Sequence, residues 1–267
     1  LKLAALSLET SPLHISTSAN EPANKITLAL GGKEVGGGRR TYIKPLKASG
    51  LLRRGMTGKG TPEGVATVAS LVIGIPADWA LVFERMAKPP GKMTGAVLRN
   101  VASFDQRYDE FWEEMAEDHM ILVVRDSSYL NWRYSEYPFP GIRSFELSRG
   151  DHLLGYSVIH IGIDEDRLRF AALLELAGRK VESGVQEYLL REAIRCAADA
   201  GAHYLIARAP TPEIEALFQD HGHIRREMSY SPVTYRNNSD VPQEAFAQDG
   251  NWYVSLGDGD GCYYFDS

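Results

Sequence analysis

Residues 167–209 constrain the fold more than any other stretch of this chain. Arg167 to Leu176 is almost continuously apolar, the pattern of a central strand buried on both faces. A helical repeat follows, with Val185, Leu189, Ala193, Cys196, Ala197 and Ala200 on one face until Gly201 stops it. Ser183 and Gln186 stand at capping-box spacing before that helix, and a short apolar run from Tyr204 to Ala209 comes after it. If the two strands are parallel neighbours in one sheet, the helix between them makes a right-handed crossover. The expected unit is an α/β domain, a mixed twisted sheet flanked by helices.

The flanking segments extend this unit. Phe104, Tyr108, Phe111, Trp112 and Met115 share one helical face, with Ser103 placed to cap it and acidic residues on the other side. Antiparallel strands are predicted at Arg143 to Leu147 and Leu153 to Ile161, joined at Arg149-Gly150-Asp151. A helix from Pro212 to Asp220 and a strand near Ile224 to Tyr235 complete the order. Upstream the pattern weakens. Ile26 to Leu30 predicts a short strand, Gly31-Gly32 a turn, and Thr41 to Ile43 a second strand. Gly36-Gly37-Gly38 reads as a hairpin or linker, because it lacks both the Gly-Lys-Ser/Thr ending of a Walker loop and the spacing of a dinucleotide fingerprint. Residues 62–87 carry helical apolar stretches such as Val65, Val68, Ala69 and Val72, interrupted at Pro76, before Pro89-Pro90-Gly91 breaks the chain.

Composition excludes several function classes. With 267 residues, 44% hydrophobic and 24% charged, the chain has the balance of a globular protein with a sizeable core. A net charge of −6 lacks the cationic excess that general nucleic-acid binding requires. Cys196 and Cys262 are too few for a disulfide framework or a CxxC metal site, so a reducing, cytoplasmic setting is expected. No apolar run approaches the roughly 18 residues of a membrane span, so no membrane partner is expected.

Residues 125–134 read Arg125-Asp126-Ser127-Ser128-Tyr129-Leu130-Asn131-Trp132-Arg133-Tyr134, and the apolar run Ile121 to Val124 delivers them into a short helix. Asp126 is placed to cap that helix, Trp132 and Tyr134 to pack, and Arg133 to pair with a carboxylate. The segment resembles the Arg-Asp…Tyr-Leu-x-Trp-Arg-Tyr signature of a group of bacterial proteins in the GNAT (Gcn5-related N-acetyltransferase) superfamily. The element order over residues 93–235 is similar to that of a GNAT-like domain, and Trp252-Tyr253-Val254-Ser255-Leu256-Gly257-Asp258 is similar to the tail of the same group. In those relatives the domain is often the second of two related halves. Arg39 to Arg54, with Tyr42-Ile43-Lys44-Pro45-Leu46, resembles the connector between halves. The resemblance implies residues 1–60 as a remnant or connector of a preceding half, 61–92 as a helical linker, and 93–267 as the GNAT-like domain with its tail. A start at Leu1 rather than Met fits a piece of a longer tandem protein.

The resemblance also implies chemistry. The co-substrate is acetyl-CoA or another acyl-CoA, whose pyrophosphate needs free backbone N–H groups at a helix N-terminus. The loop concerned is Ala177 to Ser183. The family places Gln or Arg, two residues, Gly, one residue, then Gly or Ala there; Arg179 and Gly184 fit the ends, while Glu182 replaces the middle glycine. A carboxylate at that point crowds and repels a phosphate. The implied cofactor-binding set is Leu176, Ala177, Arg179, Lys180, Ser183, Gly184 and Val185, against the plainer reading of a strand-to-helix turn with two surface cations. Glu175 stands where relatives often place a general base, or else is a satisfied structural carboxylate. Tyr129, Trp132 and Arg133 border the implied acceptor cleft. The tyrosine acid of many relatives sits in Ala-Leu-Tyr-x-x-x-Gly-Phe; this chain reads Ala216-Leu217-Phe218-Gln219-Asp220-His221-Gly222-His223, and Phe218 has no proton to give.

No metal is expected. His221 and His223 lack a third ligand at convincing spacing, and His119, His152 and His160 read as surface or core-edge residues. Asp258-Gly259-Asp260-Gly261 lacks the later acidic position of a calcium loop and reads as a turn. The expected function is acyl transfer from acyl-CoA to an amine of unspecified identity. Other classes kept open are a catalytically degenerate scaffold or binding module, and an aminoacyl-tRNA-dependent cell-wall transferase.

Overall fold

The computed structural model describes residues 13–17, 21–34, 41–87, 93–136, 140–179, 182–226, 234–237, 242–248 and 251–259. In chain order these form β1 (Leu13–Ser16), α1 (Glu21–Ala29), β2 (Lys33–Glu34), β3 (Thr41–Pro45), α2 (Ala48–Thr57), α3 (Glu63–Ala87), β4 (Val97–Val101), α4 (Arg107–Asp118) and β5 (Ile121–Leu122). Next come α5 (Ser127–Leu130), continued by a π-turn (Asn131–Ser135), then β6 (Ile142–Arg149), β7 (His152–Ile163), β8 (Arg169–Gly178), α6 (Val185–Asp199), β9 (Tyr204–Arg208) and α7 (Pro212–Asp220). The chain closes with β10 (Ile224–Arg226), β11 (Thr234–Asn237), α8 (Gln243–Ala247), β12 (Trp252–Tyr253) and a 3-10 turn (Leu256–Asp258).

The main sheet has the order β10-β3-β9-β8-β7-β6-β4. β8 and β9 are parallel, from Phe170 opposite Tyr204 to Leu173 opposite Ala207, and the other neighbours are antiparallel. Every residue from Phe170 to Ala177 is buried, because the sheet is covered on both faces at β8. On one side Leu173, Leu176 and Leu205 pack with Leu189, Ala193 and Phe218 from α6 and α7. On the other, Leu174, Tyr156 and Phe170 pack with Tyr108 and Phe111 of α4, and with Leu130 and Tyr134.

A bulge in β8 decides which side Glu175 faces. Val158 pairs with Glu175 but Ile159 pairs with Leu173, so Leu174 is one residue too many for the ladder. Alternation is broken there. Leu174 lies in the α4 core, and Glu175 reaches the same side, where the Tyr134 hydroxyl binds it. An unbulged strand would send Glu175 toward α6.

The segment upstream of residue 60 is woven into this fold. β3 lies between β9 and β10, antiparallel to both, while β1 and β2 flank β11 in a three-stranded sheet. Several local expectations are corrected. Ile26 to Ala29 is helical, not a strand, and the Thr27 hydroxyl donates back to the Ala23 carbonyl at 3.1 Å; the Glu-Pro start outweighs a weak β preference. The helix from Glu63 runs through Pro76 to Ala87 rather than stopping there. Ser103 does not cap α4, which begins at Arg107, whose N–H goes to the Asp105 carboxylate at 3.0 Å. The Ser183–Gln186 box does not form, because Gly184 takes the N-cap position in a left-handed conformation, φ 85°. Ile224 to Tyr235 contributes to two strands in different sheets. Gly36-Gly37-Gly38, Pro89-Pro90-Gly91, Lys180, Asp260, Gly261 and Cys262 lie outside the described residues. Among the described residues no helix is long and apolar enough to cross a membrane.

Candidate functional site

The β8–β9 ladder ends at Leu173 and Ala207, yet β8 runs on to Gly178. Past that point the two strands no longer pair. Carboxyl ends of parallel strands are where ligands bind in open α/β sheets. The chain then folds back through Arg179, whose N–H donates to the Leu154 carbonyl at 3.0 Å, and enters α6 at Gly184. A Cβ built on Gly184 would meet nothing within 4 Å. The first turn of α6 has N–H groups without intrahelical partners and the positive end of the helix dipole. The end of β8 and the N-terminus of α6 thus lie together, an arrangement that suits an extended ligand ending in an anion.

The predicted cofactor residues are disposed unequally around it. Leu176 turns its side chain into the α6 core, and its carbonyl accepts the Tyr253 hydroxyl at 3.1 Å. Ala177 and Val185 are fully buried, while Ser183 and Gly184 are exposed. Arg179 is occupied: its Nε donates to the Leu153 carbonyl at 2.7 Å, and its guanidinium pairs with Glu114 and lies 5.5 Å from the Phe111 ring. Burial pulls its pKa below the ordinary arginine value. Glu182 reaches Arg149 at 2.8 Å, and this hydrogen-bonded contact holds its carboxyl below the usual range.

Glu175 is fully buried and belongs to a closed polar cluster. Arg125 donates from Nε to Glu175 Oε2 at 3.1 Å, while the Tyr134 hydroxyl and the Ser255 hydroxyl donate to Oε1 at 2.8 and 3.1 Å. On its far side Arg125 reaches both oxygens of Asp258 at 2.8 Å and the Ser255 hydroxyl at 3.2 Å. Burial pushes the Glu175 carboxyl up, against the opposing pull of Arg125; nearby Asp258 adds to the rise, and the Tyr134 hydroxyl opposes it. Two carboxylates therefore share one guanidinium away from water. Arg125, Ser255 and Asp258 were not named as site residues from sequence, although the signature and the tail that contain them were the available signals.

A GCN5-related N-acetyltransferase from Anabaena variabilis ATCC 29413 matches this structure with a TM-score of 0.50 at 9% identity, over 89% of this chain and 49% of that one. The chain has the GNAT fold. A conserved protein of unknown function from Enterococcus faecalis V583 matches at 12% identity over 89% of this chain and 48% of its own, TM-score 0.49. An aminoglycoside acetyltransferase from an uncultured soil metagenomic sample matches at 13% identity over 48% of this chain and 86% of its own, TM-score 0.37. The chain spans about half the length of the first two. No protein-family model matches it, and no curated protein matches its sequence.

On this GNAT fold the signature segment grips the tail. Arg133, expected to pair with a carboxylate, donates to the carbonyls of Gly257 and Gly259, both at 3.0 Å. Asp126 caps α5 as expected, accepting the Tyr129 N–H at 2.7 Å. Asn131 clamps Phe104 by accepting its N–H at 2.8 Å and donating to its carbonyl at 2.7 Å. Tyr134 is buried, but Trp132 is 59% exposed, with its ring 5.7 Å from that of Tyr129. Burial pushes the Tyr129 phenol up to about 12. Trp132 is free of the core because the π-turn widens the helix where it stands.

Phe218 is fully buried against Tyr42 and stacks on His223 with centroids 4.8 Å apart. It belongs to the core between α7 and the sheet. His223 Nδ1 lies 3.0 Å from the Phe218 carbonyl, and burial drives its pKa down to about 3. His221 Nε2 stands 3.5 Å from Glu187. His160, expected at the surface or core edge, is fully buried edge-on to Phe170. The described residues contain no cluster of His, Cys, Asp and Glu able to hold a metal.

Proposed function

We propose that this chain is an acyl-CoA-dependent N-acyltransferase domain. The observation that carries the reading is the parting of β8 from β9 beside the N-terminus of α6. The residues fit the co-substrate in part: the end of β8 at Leu176 and Ala177 would take the pantetheine arm once the Tyr253 hydroxyl leaves the Leu176 carbonyl, and the N–H groups around Ser183, Gly184 and Val185 would take the pyrophosphate. Arg179, paired with Glu114, would join that set only on leaving its partner, and Lys180 follows it in sequence. Acyl-CoA supplies an activated thioester carbonyl. The chain's own task is to align an amine against it on the face bordered by Tyr129, Trp132 and Arg133, a matter of orientation first.

Glu175 fits a positioning role. Its oxygens are already held by Arg125, Tyr134 and Ser255, so it fixes the end of β8 and the tail turn rather than meeting the amine directly. We take residues 1–60 as a remnant of, or connector from, a preceding GNAT-like half, with Thr41–Pro45 completing the main sheet, 61–92 as a helical linker and 93–267 as the domain with its tail. A cytoplasmic setting fits its two cysteines.

A second reading, a GNAT-fold binding module without turnover, is favoured by the enclosure of Glu175 and by Phe218 in place of a tyrosine acid. An aminoacyl-tRNA substrate is opposed by the net charge of −6. Calorimetry with acetyl-CoA, followed by thiol release from acetyl-CoA in the presence of a panel of primary amines, separates these. Binding with amine-dependent thiol release supports the enzyme, and binding without release supports the module. No binding of acetyl-CoA, butyryl-CoA or free CoA sinks both.

A further inference from the structure

Helix α3 distributes its side chains against the usual rule. Toward α2 it places Ala66, Ser70 and Gly74, four apart and all buried. Gly74 comes so near that a Cβ would lie 2.5 Å from the Cα of Ser49. Asp78, one turn further on, accepts the Ser49 hydroxyl at 2.7 Å and so caps α2. On the opposite face stand Val65, Val68, Val72 and Ile75, exposed by 58, 63, 70 and 49%, with Ile73 beside them at 60%. Over residues 65–75 the described side chains thus place the small residues on the chain itself and the large aliphatic residues on solvent. The exposed set repeats at i, i+3, i+7 and i+10, the seam of two helices packed side by side. Gly64 and Ala69 leave an apolar hollow of about 520 Å³ among Val65, Val68, Val72 and Ile73.

We propose that this face of α3 is the contact between two copies of the chain, related by a two-fold axis. The face carries both ridge and hollow, so it is complementary to itself, as an isologous interface must be. Between Gly64 and Ala77 there is no charged residue, which leaves nothing for a partner recognised through ion pairs. The exposed aliphatic surface is on the order of 500 Å² per copy, so pairing would bury about 1,000 Å², where specific interfaces begin. Scattered apolar residues do not form such a stripe. Lys59 and Arg85 flank the stripe in sequence, so an anionic lipid surface is the competing occupant that the test must separate.

The test is sedimentation equilibrium of the full chain from about 1 to 100 μM, concentrations that span micromolar affinity. The expected species has twice the 29.6 kDa chain mass. Val68→Glu and Val72→Glu should each raise the dimer dissociation constant at least tenfold with unchanged far-UV circular dichroism. Val97→Glu, at an exposed strand position, should leave it unchanged. A wild-type monomer at the top concentration overturns the proposal, as does a dimer that ignores both substitutions. Co-sedimentation with phosphatidylglycerol vesicles, lost in the same two variants while the free protein stays monomeric, would assign the face to a membrane surface and overturn it as well.

Discussion

Arg125 and Asp258, 133 residues apart, meet where one guanidinium nitrogen lies 2.8 Å from both carboxylate oxygens. Both side chains are fully buried, and Glu175 holds the other side of the same guanidinium. Removing the cation leaves two carboxylates facing each other without water. Arg125→Met should therefore cost about 3 kcal/mol or more of stability. Arg125→Lys should recover little, because a single nitrogen cannot span Glu175, the Val123 carbonyl and Asp258, which three separate guanidinium nitrogens reach. Urea unfolding measures both, and a loss below about 1 kcal/mol for Arg125→Met would show that the cluster is not closed.

Gly257 has no room for a side chain. A Cβ there would fall inside contact distance of the Tyr134 hydroxyl, 2.8 Å from Glu175 Oε1 and 3.0 Å from the Leu174 carbonyl. Gly257→Ala should destabilise by about 1–3 kcal/mol. It should also speed amide hydrogen exchange across residues 251–259 more than elsewhere, since the tail must lift to admit the methyl group.

His223 should make stability fall at mildly acidic pH. Its folded pKa, about 3, lies below the ordinary value near 6.5, so the unfolded chain binds the extra proton. The stability this neutral imidazole allows is complete above about pH 6.5 and is lost as pH falls from there toward 3, at up to about 1.4 kcal/mol per pH unit. His223→Asn, which keeps a donor for the Phe218 carbonyl, should flatten the change in urea midpoint between about pH 6.5 and 5, above the main carboxylate range. An equal slope in the variant would assign the dependence elsewhere.

Glu182 and Arg149 should act in opposite directions on co-substrate affinity. Glu182→Gly removes a carboxylate beside the proposed pyrophosphate site and should tighten acetyl-CoA binding, with a gain that shrinks as salt rises. Arg149→Ala frees that carboxylate from its partner and should weaken binding. If calorimetry finds neither change, the pyrophosphate does not bind at this loop.

For Glu175, the positioning role predicts that Glu175→Gln lowers kcat by roughly tenfold or more while leaving the KM for acetyl-CoA near its original value. The pH profile should keep its shape, because a residue that acts by holding Arg125 and Tyr134 contributes no titration of its own to the rate. Loss of the low-pH limb in the variant would instead make Glu175 the base.

The strands and helices of the core could be read locally because their signals are periodic. The apolar run into Leu176, the repeat from Val185 to Ala200 and the stop at Gly201 are set by what a buried strand and a one-sided helix require. The helix near Pro212 to Asp220 was legible, since Pro212 suits a first turn, and the structure adds Thr211 as its cap. Asp126 likewise acts within its own helix.

Only tertiary structure decided the side that Glu175 faces, because one surplus residue, Leu174, reverses the alternation and nothing in the local pattern marks it. The insertion of Thr41–Pro45 between β9 and β10 and the meeting of Arg125 with Asp258 were equally invisible from sequence. Both depend on contacts between residues more than a hundred positions apart, which are chosen by how the whole chain buries its charges and closes its sheet edges. Trp132 lies outside the core for a related reason: a π-turn moves one position out of helical register, and periodicity presupposes that register.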